Sequence, residues 1–253
     1  MGSGVADVPY LEIGYLPKLD FACNESINTL ATNLSYCGTN VKNILVTSRY
    51  AYEGKSFMSM NLMRTIASLK KNVVLLDTDL RRSHIVSQHQ IRFADNHHYG
   101  LAHYLAGMCE MDDIVYQTNV PNAYIVPVGR EVSNSLQLLT SDRMKPLMES
   151  LRQHFDVVIV DAAPAGLIVD AVEIAKYCDG AVIVVSYNRG RRKDIAELVN
   201  VIQNTGCPVL GAVLNSVDFR SFTSRNHYYK SEKYSSYYKR GYTMRSDKKE
   251  NKK

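Results

Sequence analysis

Glu53-Gly54-Lys55-Ser56 follows a strand-like run, Val41 to Ser48, and opens a segment whose apolar residues recur at helical spacing. Two further apolar runs end in carboxylates: Val73 to Leu76 leads to Asp77 and then Asp79, and Val157 to Val160 leads to Asp161. A lysine and a hydroxyl at the start of a helix, facing acids at the tips of buried strands, suit a triphosphate and its Mg²⁺. Backbone N–H groups and Lys55 would neutralise phosphate charge, Ser56 would ligate the metal, and Asp77, Asp79 and Asp161 would complete its shell. The expected nucleotide-binding residues are therefore Glu53, Gly54, Lys55, Ser56 and Phe57, and the expected catalytic ones Asp77, Lys55 and Asp79. Asp77 and Asp79 share one side of their strand if it continues that far. One would then sit at the metal while the other takes a proton from an acceptor hydroxyl; the alternative is a strand-end pair satisfied by Arg81 or Arg82. The loop departs from Gly-x-x-x-x-Gly-Lys-Ser: Arg49 holds the first glycine position, and Tyr52 stands two residues before Gly54, where glycine would supply a positive φ cheaply.

A second cluster lies near the end of the chain. Tyr228, Tyr229, Tyr234, Tyr237, Tyr238 and Tyr242 fall within fifteen residues that include no large aliphatic side chain. Tyrosines in a segment that cannot build a core are better explained as targets of chemistry, and phosphates added there would exchange positive charge for negative. The charge distribution marks the same boundary. From Arg220 to Lys253 there are eleven Lys/Arg against three Asp/Glu, so the net +5 of the chain conceals a slightly acidic body and a strongly basic tail. Such a tail is either a solvated extension or a partner for anionic lipid headgroups and acidic proteins. No nucleic-acid partner is expected.

The elements that must position these groups follow from periodicity. Ile27, Leu30, Ala31 and Leu34 predict a helix over 24–36, and Phe57, Met58, Leu62, Met63, Ile66 and Leu69 another over 56–69. Strands are expected at 41–48, 73–79, 124–128, 155–161, 181–186 and 209–214, with helices at 100–106, 111–116, 142–154, 168–177 and 193–204. Continuous apolar strands separated by helices predict an α/β fold, a parallel sheet covered on both faces, with ligands at the strands' carboxyl ends. With 253 residues and 45% hydrophobic content, one such domain is expected over 24–218, after an extended segment 1–23 and before a flexible basic tail 219–253. The five scattered cysteines lack metal-ligand spacing and read as reduced thiols of a cytosolic protein. No signal-peptide pattern opens the chain, and no apolar run approaches the ~20 residues of a membrane span.

Taken together, Glu-Gly-Lys-Ser after a strand, Asp77-Thr-Asp79-Leu-Arg-Arg on the next, Asp161-Ala-Ala-Pro164 and the tyrosine tail resemble one family. It is that of the bacterial tyrosine kinases of capsule and exopolysaccharide synthesis, in the form whose cytosolic kinase is separate from its membrane activator. The resemblance implies a P-loop nucleotide-binding fold in which Lys55 and Ser56 correspond to the Walker A pair, Asp77 and Asp79 to Walker A′, and Asp161 to Walker B. It also implies ATP and Mg²⁺, autophosphorylation of the tail tyrosines in trans, and control of polysaccharide synthesis and export. The partners implied are a membrane-anchored activator that recruits the kinase to the inner membrane face, a tyrosine phosphatase, and other copies of the chain. Asn215 matches a residue that reads the adenine, or else caps a turn at its strand end. Where relatives carry Glu-x-x-Arg-x-x-Arg for ring assembly, this chain has Glu25, Asn28 and Ala31. Two other readings compete. A partitioning or septum-positioning ATPase would place a lysine where Tyr50 stands, and a nucleotide-sensing scaffold would lack transfer activity.

Overall fold

Strands β2 (Asn43–Ser48), β3 (Val73–Asp77) and β8 (Gly180–Ser186) are buried at every residue, and β7 (Val157–Asp161) at all but its first. Runs without polar alternation require this, because each strand lies inside a sheet covered on both faces. The computed structural model describes residues 9–94 and 98–217. Within it, successive side chains of these strands divide between two cores. Leu45, Val74, Leu76, Val158 and Val160 pack under α4 (Leu101–Leu105), α5 (Ser135–Leu139), α6 (Met144–His154), α7 (Asp170–Ala175) and α8 (Arg192–Gln203). Ile44, Val46, Val73, Leu75 and Ile159 pack under α1 (Phe21–Ser35) and α2 (Lys55–Ser68). The alternation of Cβ directions along a strand thus generates three layers: helices, sheet, helices.

The remaining strands are β1 (Tyr10–Ile13), β4 (Ile91–Phe93), β5 (Tyr116–Thr118), β6 (Ala123–Val126) and β9 (Val209–Asn215), and the sheet order is β4-β1-β5-β6-β3-β7-β2-β8-β9. From β6 to β9 every neighbouring pair is parallel. Two antiparallel pairs, β1 with β4 and β5 with β6, make the sheet mostly rather than wholly parallel. β2 lies between β7 and β8, and β3 between β7 and β6, so the loops leaving β2, β3 and β7 share one edge.

Several boundaries differ from the sequence reading. Residues 10–13 belong to the sheet rather than preceding the core: Leu11 and Ile13 are buried while Tyr10 and Glu12 face out. Four residues between Pro9 and Gly14 are too few for periodicity to register. Helix α1 starts at Phe21 because the Asp20 carboxylate accepts the Cys23 N–H at 2.7 Å, an N-cap that the apolar spacing alone does not reveal. The β3 strand stops at Asp77, which leaves Asp79 in the loop and removes the shared side expected for the two acids. The polar stretch after Arg81 forms the short α3 (Ile85–Gln88) and β4, the helix expected over 111–116 shrinks to one 3₁₀ turn at Met111–Asp113 before β5, and α5 appears in a loop. The described residues up to Asn215 make one compact unit. The expected tail and its tyrosines (Tyr228, Tyr229, Tyr234, Tyr237, Tyr238 and Tyr242) lie outside the described residues. Replacing Leu11, fully buried, with Ala should lower unfolding free energy by about 2–4 kcal/mol in a denaturant titration. A neutral effect would remove β1 from the core.

Candidate active site

The loop between β2 and α2 is held from several directions. Glu53, almost fully buried, accepts the Tyr50 N–H at 2.8 Å and the Ser186 N–H at 3.1 Å, tying the loop's start to the end of β8. Its backbone carbonyl accepts the Asn215 side-chain amide at 2.9 Å. Glu53 and Asn215 are therefore both engaged in bracing the loop. Gly54 has φ +90°, and a Cβ there would fall 2.1 Å from Asn215 Nδ2, so only glycine fits between loop and strand end. Tyr52 takes φ +63°, the left-handed conformation that a glycine would occupy at little cost. Arg189 donates to the Tyr52 carbonyl at 3.1 Å and, at 3.4 Å, to that of Ala51. Residues that replace the expected loop chemistry turn inward: the Tyr50 hydroxyl donates to Asp194 at 2.8 Å, and Arg49 pairs with Glu197 at 3.6 Å, both on α8.

The first turn of α2 begins with a bond from the Met58 N–H to the Gly54 carbonyl at 2.9 Å. The N–H groups of Lys55, Ser56 and Phe57 precede any intrahelical acceptor and form the anion-facing end of a 14-residue helix. Lys55 is 8% exposed, and among the described residues its ammonium makes no ion pair within 4.0 Å. A cation so buried without a contacting counter-charge calls for an anion.

The acids stand just beyond. Asp77 and Asp161 are register partners on the parallel strands β3 and β7, and both are buried. Asp161 accepts Ser56 Oγ at 2.7 Å on one oxygen and Ser59 Oγ at 2.8 Å on the other. Asp77 accepts the Ser83 hydroxyl and, at 3.2 Å, the Asp79 N–H. Asp79 accepts the Arg82 N–H at 3.2 Å. Burial raises the proton affinity of all three. For Asp77, which lies well above the usual carboxylate range, the charge of Asp161 is the next cause. For Asp79 and Asp161, the nearby Lys55 opposes the rise.

The described residues contain no group of three acid, His or Cys side chains placed to hold a metal ion, so Asp77, Asp79 and Asp161 form no ready-made cage. The donor set nevertheless suits Mg²⁺. The Ser56 hydrogen is committed to Asp161, which frees its oxygen lone pairs, and Mg²⁺ takes few protein oxygens beside phosphates and water. Ser59, Ser83 and Arg189 are absent from the sequence reading. Ser59 was detectable, since three residues after Ser56 on a helix is the same face; Ser83 and Arg189 have no such signal. Asn28, at a lost arginine position, donates to Glu25 at 3.1 Å, and Ala31, at the other, is buried in the core.

This fold and site define a P-loop nucleotide-binding domain, and a family model described as an AAA domain matches residues 41–206. The tyrosine-protein kinase CpsD of Streptococcus pneumoniae is 32% identical over 213 residues, covering 83% of this chain and 92% of that protein. The solved kinase domain of the Escherichia coli tyrosine kinase Etk superposes with TM-score 0.71 at 28% identity, over 78% of this chain and 77% of the other. More distantly, the cell division ATPase MinD of Pyrococcus furiosus gives TM-score 0.58 at 25% identity, over 69% and 71%. The chain belongs to the family of bacterial protein-tyrosine kinases.

Because the acids are forced together in a dry site, their pH linkage runs opposite to that of a salt-bridged carboxylate. Proton affinities raised above the unfolded value of about 4 mean that their contribution to stability is complete below that pH and is lost as pH rises through the folded values. Asp77→Asn should therefore raise the melting temperature of the metal-free protein at pH 7, with the gain vanishing near pH 4 in paired thermal scans. A variant less stable than wild type at pH 7 contradicts the repulsion argument.

Proposed function

We propose that the chain transfers the terminal phosphoryl group of ATP to tyrosine hydroxyls in the tail of a neighbouring copy, at Tyr228, Tyr229, Tyr234, Tyr237, Tyr238 and Tyr242. The carrying observation is the buried Lys55 ammonium, free of any direct ion pair among the described residues, set beside Ser56 and the Asp77–Asp161 pair, in a member of a tyrosine-kinase family. Lys55 and the N–H groups at the start of α2 hold the β- and γ-phosphates, with Glu53 and Asn215 keeping the loop in shape. Ser56, oriented by Asp161, would hold the Mg²⁺, with Asp79 or Asp77 as further ligands. Mg²⁺ held there would supply positive charge to offset that gathering on the phosphate oxygens during transfer. Asp77, whose proton affinity is raised by burial and by Asp161, accepts the phenol proton as the new O–P bond forms and the bond to the ADP oxygen breaks. An acid of ordinary affinity would be a poorer acceptor from a hydroxyl that ionises near pH ~10.

Phosphates added to the tail would reverse its charge and drive copies apart, a cycle able to pace capsule or exopolysaccharide synthesis and export. No helix among the described residues is long and apolar enough to cross a membrane. Recruitment to the inner membrane face by an anchored activator, and resetting by a tyrosine phosphatase, complete the proposal. The ATPase-switch reading loses ground at Tyr50, whose hydroxyl is committed to Asp194 of its own chain.

Full-length Lys55→Met should show no phosphotyrosine alone, but should acquire it on the tail when mixed with ATP and a wild-type body lacking residues 219–253. Tryptic mass spectrometry reads both. Phosphotyrosine on the purified mutant alone refutes the role of Lys55, and none in the mixture, with or without activator, refutes transfer in trans.

A further inference from the structure

Tyr52 combines two features that folding does not call for. It is a non-glycine residue at φ +63°, a conformation that disfavours a side chain by roughly 1 kcal/mol, and its ring is left largely in solvent at 65% exposure. Strain retained at a site and surface left uncovered both point to use rather than packing. The ring also has neighbours. It stacks on His84, with centroids 6.4 Å apart and planes 25° apart, and the Arg82 guanidinium lies 5.9 Å from its centroid. Those two residues come from the loop that carries Asp79: the Arg82 N–H is bonded to that carboxylate, and His84 is close enough to depress its proton affinity. Arg189 secures the Tyr52 carbonyl from the other side. An aromatic–cation rim therefore bridges the phosphate loop and the acid-bearing loop.

We propose that Tyr52, with His84 and Arg82, is the docking platform for the aromatic ring of the acceptor tyrosine. The proposal rests on the tyrosine-kinase reading above and names which surface of that site selects its substrate. An aromatic face backed by a guanidinium favours a second ring by offset or edge contact and by its own polarisation. The platform is a specificity element, distinct from the groups that hold phosphate.

The test measures binding and transfer separately. A synthetic peptide spanning residues 225–245 is titrated into the full chain with Mg·ADP present, for wild type, Tyr52→Gly and Tyr52→Phe, and the KM for the same peptide is measured with ATP. Glycine suits the backbone here, so Tyr52→Gly should fold at least as well as wild type. It should weaken peptide binding and raise peptide KM fivefold or more, while the Kd for Mg·ADP stays within twofold. Tyr52→Phe should restore both to within twofold, and a peptide with its tyrosines changed to alanine should bind wild type and Tyr52→Gly alike. Unchanged peptide affinity in Tyr52→Gly overturns the proposal, as does an equal loss of Mg·ADP affinity, which would make Tyr52 part of the nucleotide site. Ring-dependent peptide binding without any phosphotyrosine in wild type would leave the platform standing and defeat the transfer reading instead.

Discussion

Two carboxylates side by side in the dry interior of a sheet are the constraint around which the site is arranged. Asp77 and Asp161 sit opposite one another because β3 and β7 are parallel and in register, and neither can escape without unpairing a buried strand. Like charges at such a spacing in low dielectric are costly, and the surroundings answer them with hydroxyls from Ser56, Ser59 and Ser83, the Asp79 N–H and the nearby Lys55. In the proposed mechanism that residual repulsion would keep a proton acceptor beside the phosphate loop.

Legibility in the sequence followed the physics of each element. The four central strands and α2 were readable because full burial demands unbroken apolar runs, and those runs place Lys55, Asp77 and Asp161 at one edge whatever the finer topology. β1 was not readable as part of the sheet, because four residues carry too little periodicity, and neither was the end of β3, because nothing in Asp77-Thr78-Asp79 says where pairing stops. At the site, residue types announced ligands but not braces. Glu53 looks like a site residue in the sequence, and the hydrogen bonds of its side chain go to Tyr50 and Ser186. Long-range partners such as Arg189 on Tyr52 exist only once the fold has formed.

The departures from the common loop pattern form a coherent set. Arg49, at the first glycine position of the loop pattern, and Tyr50 both fasten to α8. Asn28 bonds to Glu25 of its own helix, and Ala31 is buried in the core.

The bracing of the phosphate loop has a thermodynamic consequence. Backbone ordering costs roughly 1–2 kcal/mol for each residue brought from freedom to a single conformation. Here Glu53, Asn215, Arg189, Asp194 and Glu197 immobilise residues 49–54 from both sides when the domain folds. The entropy of that segment is surrendered at folding, before any ligand arrives. An incoming triphosphate meets a rigid receptor, and its affinity is spared the penalty that a floppy glycine loop would impose.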